Sequence, residues 1–325
     1  MRLFQRNCKA IGVLVLLALV GSIPLFVSDF QLFKLTNILV YAIALLGLNI
    51  VTGYNGQISL GHGAFYTLGA YTAAILIAHF AVPHWIALPV AGVVCLAAGV
   101  VFALPLARLG PMHFAMATFA LAAVTPQLAN YAAIAPWTGG SQGLGLDKPA
   151  VPLGLPLSFD QWVYLLTLCV LVLSFVLASN LLGARIGRAI IAVRDHPLGA
   201  QAMGVHTTYY KTMAFGISAM YVGVAGALSA LALLYAAPSG ILVSLGFLIG
   251  SAVGGIATLS GAIYGAIFLQ VILIAAGTLA HSVKTPAVLA VYGIVVIAFL
   301  HLLPAGVAGL VADLTARLRR SRVKV

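Results

Sequence analysis

Glutamate is absent from this 325-residue chain, and acid is confined to Asp29, Asp147, Asp160, Asp195 and Asp313. None of these falls inside a long apolar run, so a carrier coupled to protons through an intramembrane carboxylate lacks its usual group. Charged residues are only 6% of the chain, against about 25% in soluble domains, which excludes a water-soluble globular protein. Cysteine is scarce too. Cys8, Cys95 and Cys169 are odd in number and far apart, so they imply neither a disulfide framework nor a metal site. No lysine follows a glycine, because the six lysines follow Cys8, Phe33, Asp147, Tyr210, Val283 and Val323. The phosphate-binding motif G-x-x-x-x-G-K-[ST] is therefore missing. No catalytic constellation is present, no cofactor is implied, and any ATP hydrolysis that drives the chain belongs to another subunit.

What remains is apolar. Hydrophobic residues make up 63%, and runs near the 20 or so residues needed to cross a bilayer recur throughout. They predict spans near 11–27, 35–52, 61–79, 86–107, 112–133, 162–182, 212–236, 242–259, 261–280 and 286–303. The fold class is an all-α polytopic membrane helix bundle of about ten transmembrane segments, read as one transmembrane domain over 1–325. The short segments of 242–280 leave room for a re-entrant arrangement. The N-terminus, with Arg2, Arg6 and Lys9 before an apolar run, has the look of a secretory signal. It lacks a clear cleavage site and is read as an uncleaved first span.

A net charge of +11 raises the question of nucleic acid, and its distribution answers it. With ten spans and the N-terminus inside, both termini are cytoplasmic. Arg2, Arg6, Lys9, Arg108, Arg185, Arg188, Arg194, Lys211, Arg317, Arg319, Arg320, Arg322 and Lys324 then lie inside, and only Lys34, Lys148 and Lys284 outside. This is the positive-inside pattern. It reports topology and a lipid bilayer, with no nucleic-acid partner. The tail Arg317–Lys324 reads as a stop signal or as a contact with anionic lipid.

Three stretches break the apolar pattern. Residues 183–211 gather Arg185, Arg188, Arg194, Asp195, His196, His206 and Lys211, which cannot lie in hydrocarbon. Pro197 restarts a helix there, with Asp195 near its N-cap and Gly204 ending it. A partner-docking helix and a surface helix without a partner are both open readings. Residues 135–161 hold Trp137, Thr138-Gly139-Gly140 and four prolines, which is turn chemistry; gate, docking surface and plain connector stand as alternatives. Residues 46–71 interleave Gly53, Gly56, Gly61, Gly63 and Gly69 with Asn49, Thr52, Asn55, Gln57, Ser59, His62, Tyr66 and Tyr71. Unwound backbone at membrane depth is tolerated only when buried or lining a cavity, so this stretch reads as helix packing or as the lining of a path for a polar, uncharged or zwitterionic solute. His62, His79, His113 and His301 all fall near span ends, where interfacial placement is expected. Gly254, Gly255, Gly261 and Gly265 read as a packing face. Ser59-Leu60-Gly61 and Thr258-Leu259-Ser260 echo one another, hinting that 35–133 and 212–303 are related.

These residues make the chain recognisable. It resembles the membrane-spanning permease subunits of branched-chain amino acid ABC importers, the LivM type in particular, over about Asn37–Pro304. The shared motifs are Gly47-Leu48-Asn49 with Gly53, Gly56, Ser59-Leu60-Gly61, Phe65 and Gly69-Ala70-Tyr71; Arg108-Leu109 leading to Thr118; Thr138-Gly139-Gly140 with Gly143-Leu144; and Gly187-Arg188, Arg194-Asp195, Ala200 and Gly204-Val205. The resemblance implies that Gly187, Arg188, Arg194, Asp195, Ala200 and Gly204 couple to ABC ATPase subunits. The same resemblance implies a second homologous permease, a periplasmic solute-binding protein and a place in the cell inner membrane. The candidates for the substrate path are Asn49, Gln57, Ser59, His62, Tyr66 and Thr118. Two departures stand out. The glutamate often found after Thr118 is absent, and the pattern G-G-x-G-T-L reads Gly254-Gly255-Ile256-Ala257-Thr258-Leu259. The substrate expected is a branched-chain or related amino acid, with urea or a short-chain amide as the alternative. A stand-alone channel for a small neutral solute is the reading from a different class.

Overall fold

The computed structural model describes residues 20–149, 157–280, 293–294, 296–299, 301 and 306–323. Six of its helices are long and apolar enough to cross a membrane. These are α1 (Asp29–Asn49), α2 (His62–Phe80), α3 (His84–Leu106), α4 (Pro111–Ala129), α5 (Phe159–Gly183) and α8 (Thr207–Leu233), with α1 prolonged by a π-helix over Ile50–Tyr54. Between α5 and α8 lie two short helices, α6 (Arg185–Asp195) and α7 (Pro197–Ala202). Beyond α8 come α9 (Ile241–Gly254), α10 (Leu259–Ala280) and α11 (Gly306–Val323). The result is an all-α polytopic membrane bundle. The expected span 11–27 lies largely, and 286–303 mostly, outside the described residues.

Helices α1 and α8 form the centre. Each has 72% of its apolar window buried, against 22% for α4 and α5, whose outer faces present Met112, Met116, Leu173 and Val176. Because lipid is as apolar as leucine, helices associate in a membrane by close packing, and glycine supplies it here. A Cβ added at Gly226 on α8 would collide with the Tyr66 carbonyl oxygen of α2, and one at Gly69 with the Gly223 carbonyl oxygen. At Gly47 of α1 it would lie 2.6 Å from Cβ of Tyr221. At Gly69 and Gly226 backbone meets backbone between α2 and α8, and at Gly47 the α1 backbone meets the base of Tyr221.

With about 1.5 Å per residue, α8 is roughly 40 Å long, so α6–α7 and the segment after Leu233 sit at opposite ends of the bundle. The first is the basic end. At the second, the strand end, β1 (Leu144–Gly145) pairs antiparallel with β2 (Tyr235–Ala236). The Thr138–Leu144 loop owes its shape to Gly139, Gly140 and Gly143, all at positive φ, and Thr138 Oγ anchors it to the Ala129 carbonyl at 2.7 Å.

Several boundaries differ from expectation. The 242–259 span is the 14-residue α9, which stops at Gly254 because Gly255 adopts φ +119°. It folds back on α10 as an antiparallel hairpin with Gly250 against Leu269 and Gly254 against Gly261. α8 begins at Thr207 rather than 212, so the polar segment 183–211 is shorter as a connection than its charge implied. Tyr209, Tyr210 and Lys211 continue the helix past the apolar run. Gly204, at φ +81°, follows α7 as expected. The residue before α7 is His196, without a side-chain cap bond, and Asp195 pairs with Arg194 instead of capping.

Candidate functional site

The turn between the π-helix and α2, residues 55–61, alternates in burial, with Asn55, Gln57, Ser59 and Gly61 facing the bundle and Gly56 and Ile58 exposed. His62, the first residue of α2, is 1% exposed and far from the interfacial placement expected of it. Its Nε2 lies 2.6 Å from Ser218 Oγ and its Nδ1 2.8 Å from Ser59 Oγ. The Ser218 hydroxyl donates to the Gly47 carbonyl at 2.6 Å, so its lone pair accepts from Nε2–H, and Nδ1 accepts the Ser59 proton. These bonds tie α2, α8 and α1 together.

The neighbouring candidates are equally committed. Asn49 Oδ1 accepts from the Ala257 amide at 2.9 Å, and Nδ2 donates to the Thr258 carbonyl at 2.7 Å. One amide side chain thus satisfies the unwound backbone between α9 and α10, which buried in apolar surroundings would otherwise be costly. Thr118 Oγ accepts from the Leu60 amide at 3.1 Å while donating to the Ala115 carbonyl. Gln57 Oε1 accepts from Asn55 Nδ2 at 2.7 Å. Ser244 Oγ accepts from the Gly63 amide at 2.7 Å. Asn49, Gln57, Ser59, His62 and Thr118 are thus all buried and hydrogen-bonded, in separate sets of which Ser59 and His62 share one.

Tyr66 stands apart from those sets. It lines a cavity of about 330 Å³ at the strand end, together with Asn37, Tyr41, Ser229, Tyr235 and Gln270. Val243 and Leu273 give it apolar wall, and among the described residues no carboxylate, lysine or arginine lines it. Tyr41 and Tyr66 each pack edge-on against Phe247. The Tyr235 hydroxyl donates to the Gln142 carbonyl, which joins the glycine-rich loop to one residue of this wall. Sequence reasoning missed Asn37, Tyr41, Ser229 and Gln270. The signal was Asn37 and Tyr41, one helical turn apart in an apolar run and hence on one face.

At the basic end α6 is strongly amphipathic. Gly187, Ile190 and Val193 are buried against α5, α8 and the π-helix, and Arg185, Arg188 and Asp195 face out. Gly187 has no room for a side chain beside Leu182, so the chain can reverse tightly after α5. Arg188 donates to the Gly183 carbonyl at 3.1 Å. Arg194 reaches inward, its Nη1 donating to the Gly53 carbonyl at 2.9 Å and its Nε pairing with Asp195 at 2.8 Å. Ala200 is buried, whereas Leu198 and Met203 of the α7 segment are 81% and 85% exposed. The two large apolar side chains were not singled out from sequence. Among the described residues no group of His, Cys, Asp or Glu could hold a metal.

The family model described as the permease component of the branched-chain amino acid transport system matches residues 31–319. The high-affinity branched-chain amino acid transport system permease proteins LivM of Salmonella typhimurium and Escherichia coli are each 32% identical over 243 residues, covering 67% of this chain. The chain spans 56% of the length of these curated relatives. No solved structure matches.

Proposed function

The chain belongs to the family of branched-chain amino acid transport permease components, and from that premise we propose that it is the membrane subunit of an ABC importer. In this reading it moves a branched-chain or related amino acid inward, in a bacterial-type inner membrane, while a separate ATPase subunit hydrolyses ATP. The single observation that carries the reading is the helix pair α6–α7 at the basic end, held by its buried face and presenting Leu198, Met203, Arg188 and Asp195 outward. Apolar side chains ringed by charge form a docking patch, and the ATPase is its occupant. Gly187 and Ala200 let the pair lie close to the bundle, and Gly204 turns the chain into α8. By the positive-inside rule this end is cytoplasmic, with both termini on the same side. The strand end faces a solute-binding protein, and a homologous second permease completes the path.

The cavity around Tyr66 is the place proposed for the solute. Neutral hydroxyl and amide groups suit a molecule without net charge, and Val243 and Leu273 suit an aliphatic side chain. A cavity of about 330 Å³ lies at the small end of the usual range of ligand pockets, in keeping with a single amino acid. The buried, hydrogen-bonded Asn49, Gln57, Ser59, His62 and Thr118 are read as frame, since none of them lines this cavity.

The test is uptake of labelled leucine and labelled urea by cells with and without the gene. Loss of leucine uptake alone is expected. Loss of urea uptake alone would move the substrate to the amide class and keep the importer. Flux through the purified chain alone, in liposomes without ATP, would replace the importer by a channel.

A further inference from the structure

Where the π-helix that prolongs α1 ends, the Ile50 and Val51 carbonyls accept from the Asn55 and Gln57 amides, and beyond them the helix does not continue. This end attracts a cation, as helix C-termini do, and Arg194 supplies it at Gly53. The contact is tight on both sides. A Cβ at Gly56 would lie 2.7 Å from Cγ of Arg194, and Gly53 itself presses against the backbone of Ala257. Ala257 is in turn held by Asn49 of α1. Gly306, where α11 begins, packs on Gly255 of the same unwound segment. A continuous line of contacts, through the Arg194 side chain and then the Gly53 and Ala257 backbone, thus runs from α6 through the π-helix to the 255–258 break. π-helical turns and left-handed residues concentrate where a chain must move or bear strain, and both occur on this line.

We propose that Arg194 is a positioning residue that ties the α6–α7 pair to the α9–α10 hairpin through the end of α1, so that displacement of the pair is transmitted to the hairpin. Its role in transport rests on the importer reading; the tie itself does not. Gln270 of α10 and Val243 of α9 both line the strand-end cavity, so a shift of the hairpin changes the cavity wall. Arg194 then links α6 to the end of α1 from a partly exposed position, with Asp195 pairing with its guanidinium.

The experiment measures hydrogen exchange at amides 255–258 of the full chain in lipid nanodiscs. Arg194→Met keeps the aliphatic stem over Gly56 and removes the bond to Gly53. Exchange in that segment should rise roughly tenfold, as for loss of a charge-assisted hydrogen bond, while Arg188→Met on the same helix leaves it unchanged. If Arg194→Met does not accumulate, Arg194→Lys, which cannot form the same fork, should give a smaller rise in the same place. Unchanged exchange at 255–258 overturns the tie. In cells, Arg194→Met should cut uptake severalfold while an ATPase still co-purifies, and wild-type uptake alongside raised exchange would overturn the transmission role. Raised exchange in a chain with which no ATPase co-purifies, even unaltered, would uphold the tie and remove the importer reading.

Discussion

Ala257 sits at φ +61°, a left-handed conformation that costs an L-residue about 1 kcal/mol and glycine almost nothing. It is also the position where the G-G-x-G-T-L pattern carries alanine. Ala257→Gly should therefore stabilise the protein by about 1 kcal/mol, read as a higher midpoint of thermal unfolding in detergent. A lower midpoint would mean that the alanine methyl contributes packing that outweighs the strain. Ser218 presents the opposite case. Ser218→Ala removes the acceptor of His62 Nε2–H and the donor to Gly47, leaving buried polar groups unpaired, and should cost about 1–3 kcal/mol. An unchanged midpoint in the same assay would show that water or a shifted His62 fills the gap. At this scale the local cluster from Asn49 to Tyr66 was legible, because glycine and neutral polar residues interrupt an apolar run. Its partners were not. Ala257 lies 208 residues from Asn49 and Ser218 156 residues from His62, and no local pattern in one sequence joins such positions. That distance is why packing and solute lining stayed open as readings of the same residues, and why only the folded arrangement separates Tyr66, in the cavity wall, from its neighbours.

For whole helices, hydropathy served well where a run was long and uninterrupted, as in α2, α3 and α5, whose expected limits lie within three residues of those seen. It failed where backbone conformation, not polarity, ends an element. Gly255 stops α9 inside an apolar stretch, and the π-helix after Asn49 has no hydropathic mark at all. Close crossings follow a different sign, glycines at spacings that place them on one face. Gly223 and Gly226 of α8 lie three residues apart, and Gly226 leaves no room between its helix and the Tyr66 carbonyl. Gly226→Val should force α2 and α8 apart, disrupt the Tyr66 side of the cavity and leave little chain in the membrane. Immunoblotting of membrane fractions measures this, with Gly246→Val, where nothing lies within 4 Å of an added Cβ, as the tolerated comparison. Equal accumulation of the two variants would show that the crossing is looser than its geometry.

Taken as one body, the molecule separates its tasks by end. The basic end holds Arg185, Arg188, Arg194 and Lys211 around the α6–α7 pair, and the strand end holds the glycine loop, β1–β2 and the cavity. The roughly 40 Å of α8 between them exceeds the hydrocarbon core of about 30 Å, so each end reaches its own aqueous face. The assignment of faces belongs to the proposal and rests on charge: in the ten-span reading of the sequence, thirteen lysines and arginines would fall on one side and three on the other, a bias of the positive-inside kind. The prediction is sharp in a chain freed of its native cysteines. Leu198→Cys, on an exposed position of α7, should react with a membrane-impermeant maleimide only in inside-out vesicles. Trp137→Cys, in the turn stacked on Phe80 at the far end of α2, should react only in intact, outer-membrane-permeabilised cells. Labelling of both from one side would contradict the two-ended arrangement. A clean reversal would preserve that arrangement while placing the helix pair outside, where no ATPase could reach it, and the importer reading would fall on geometry alone.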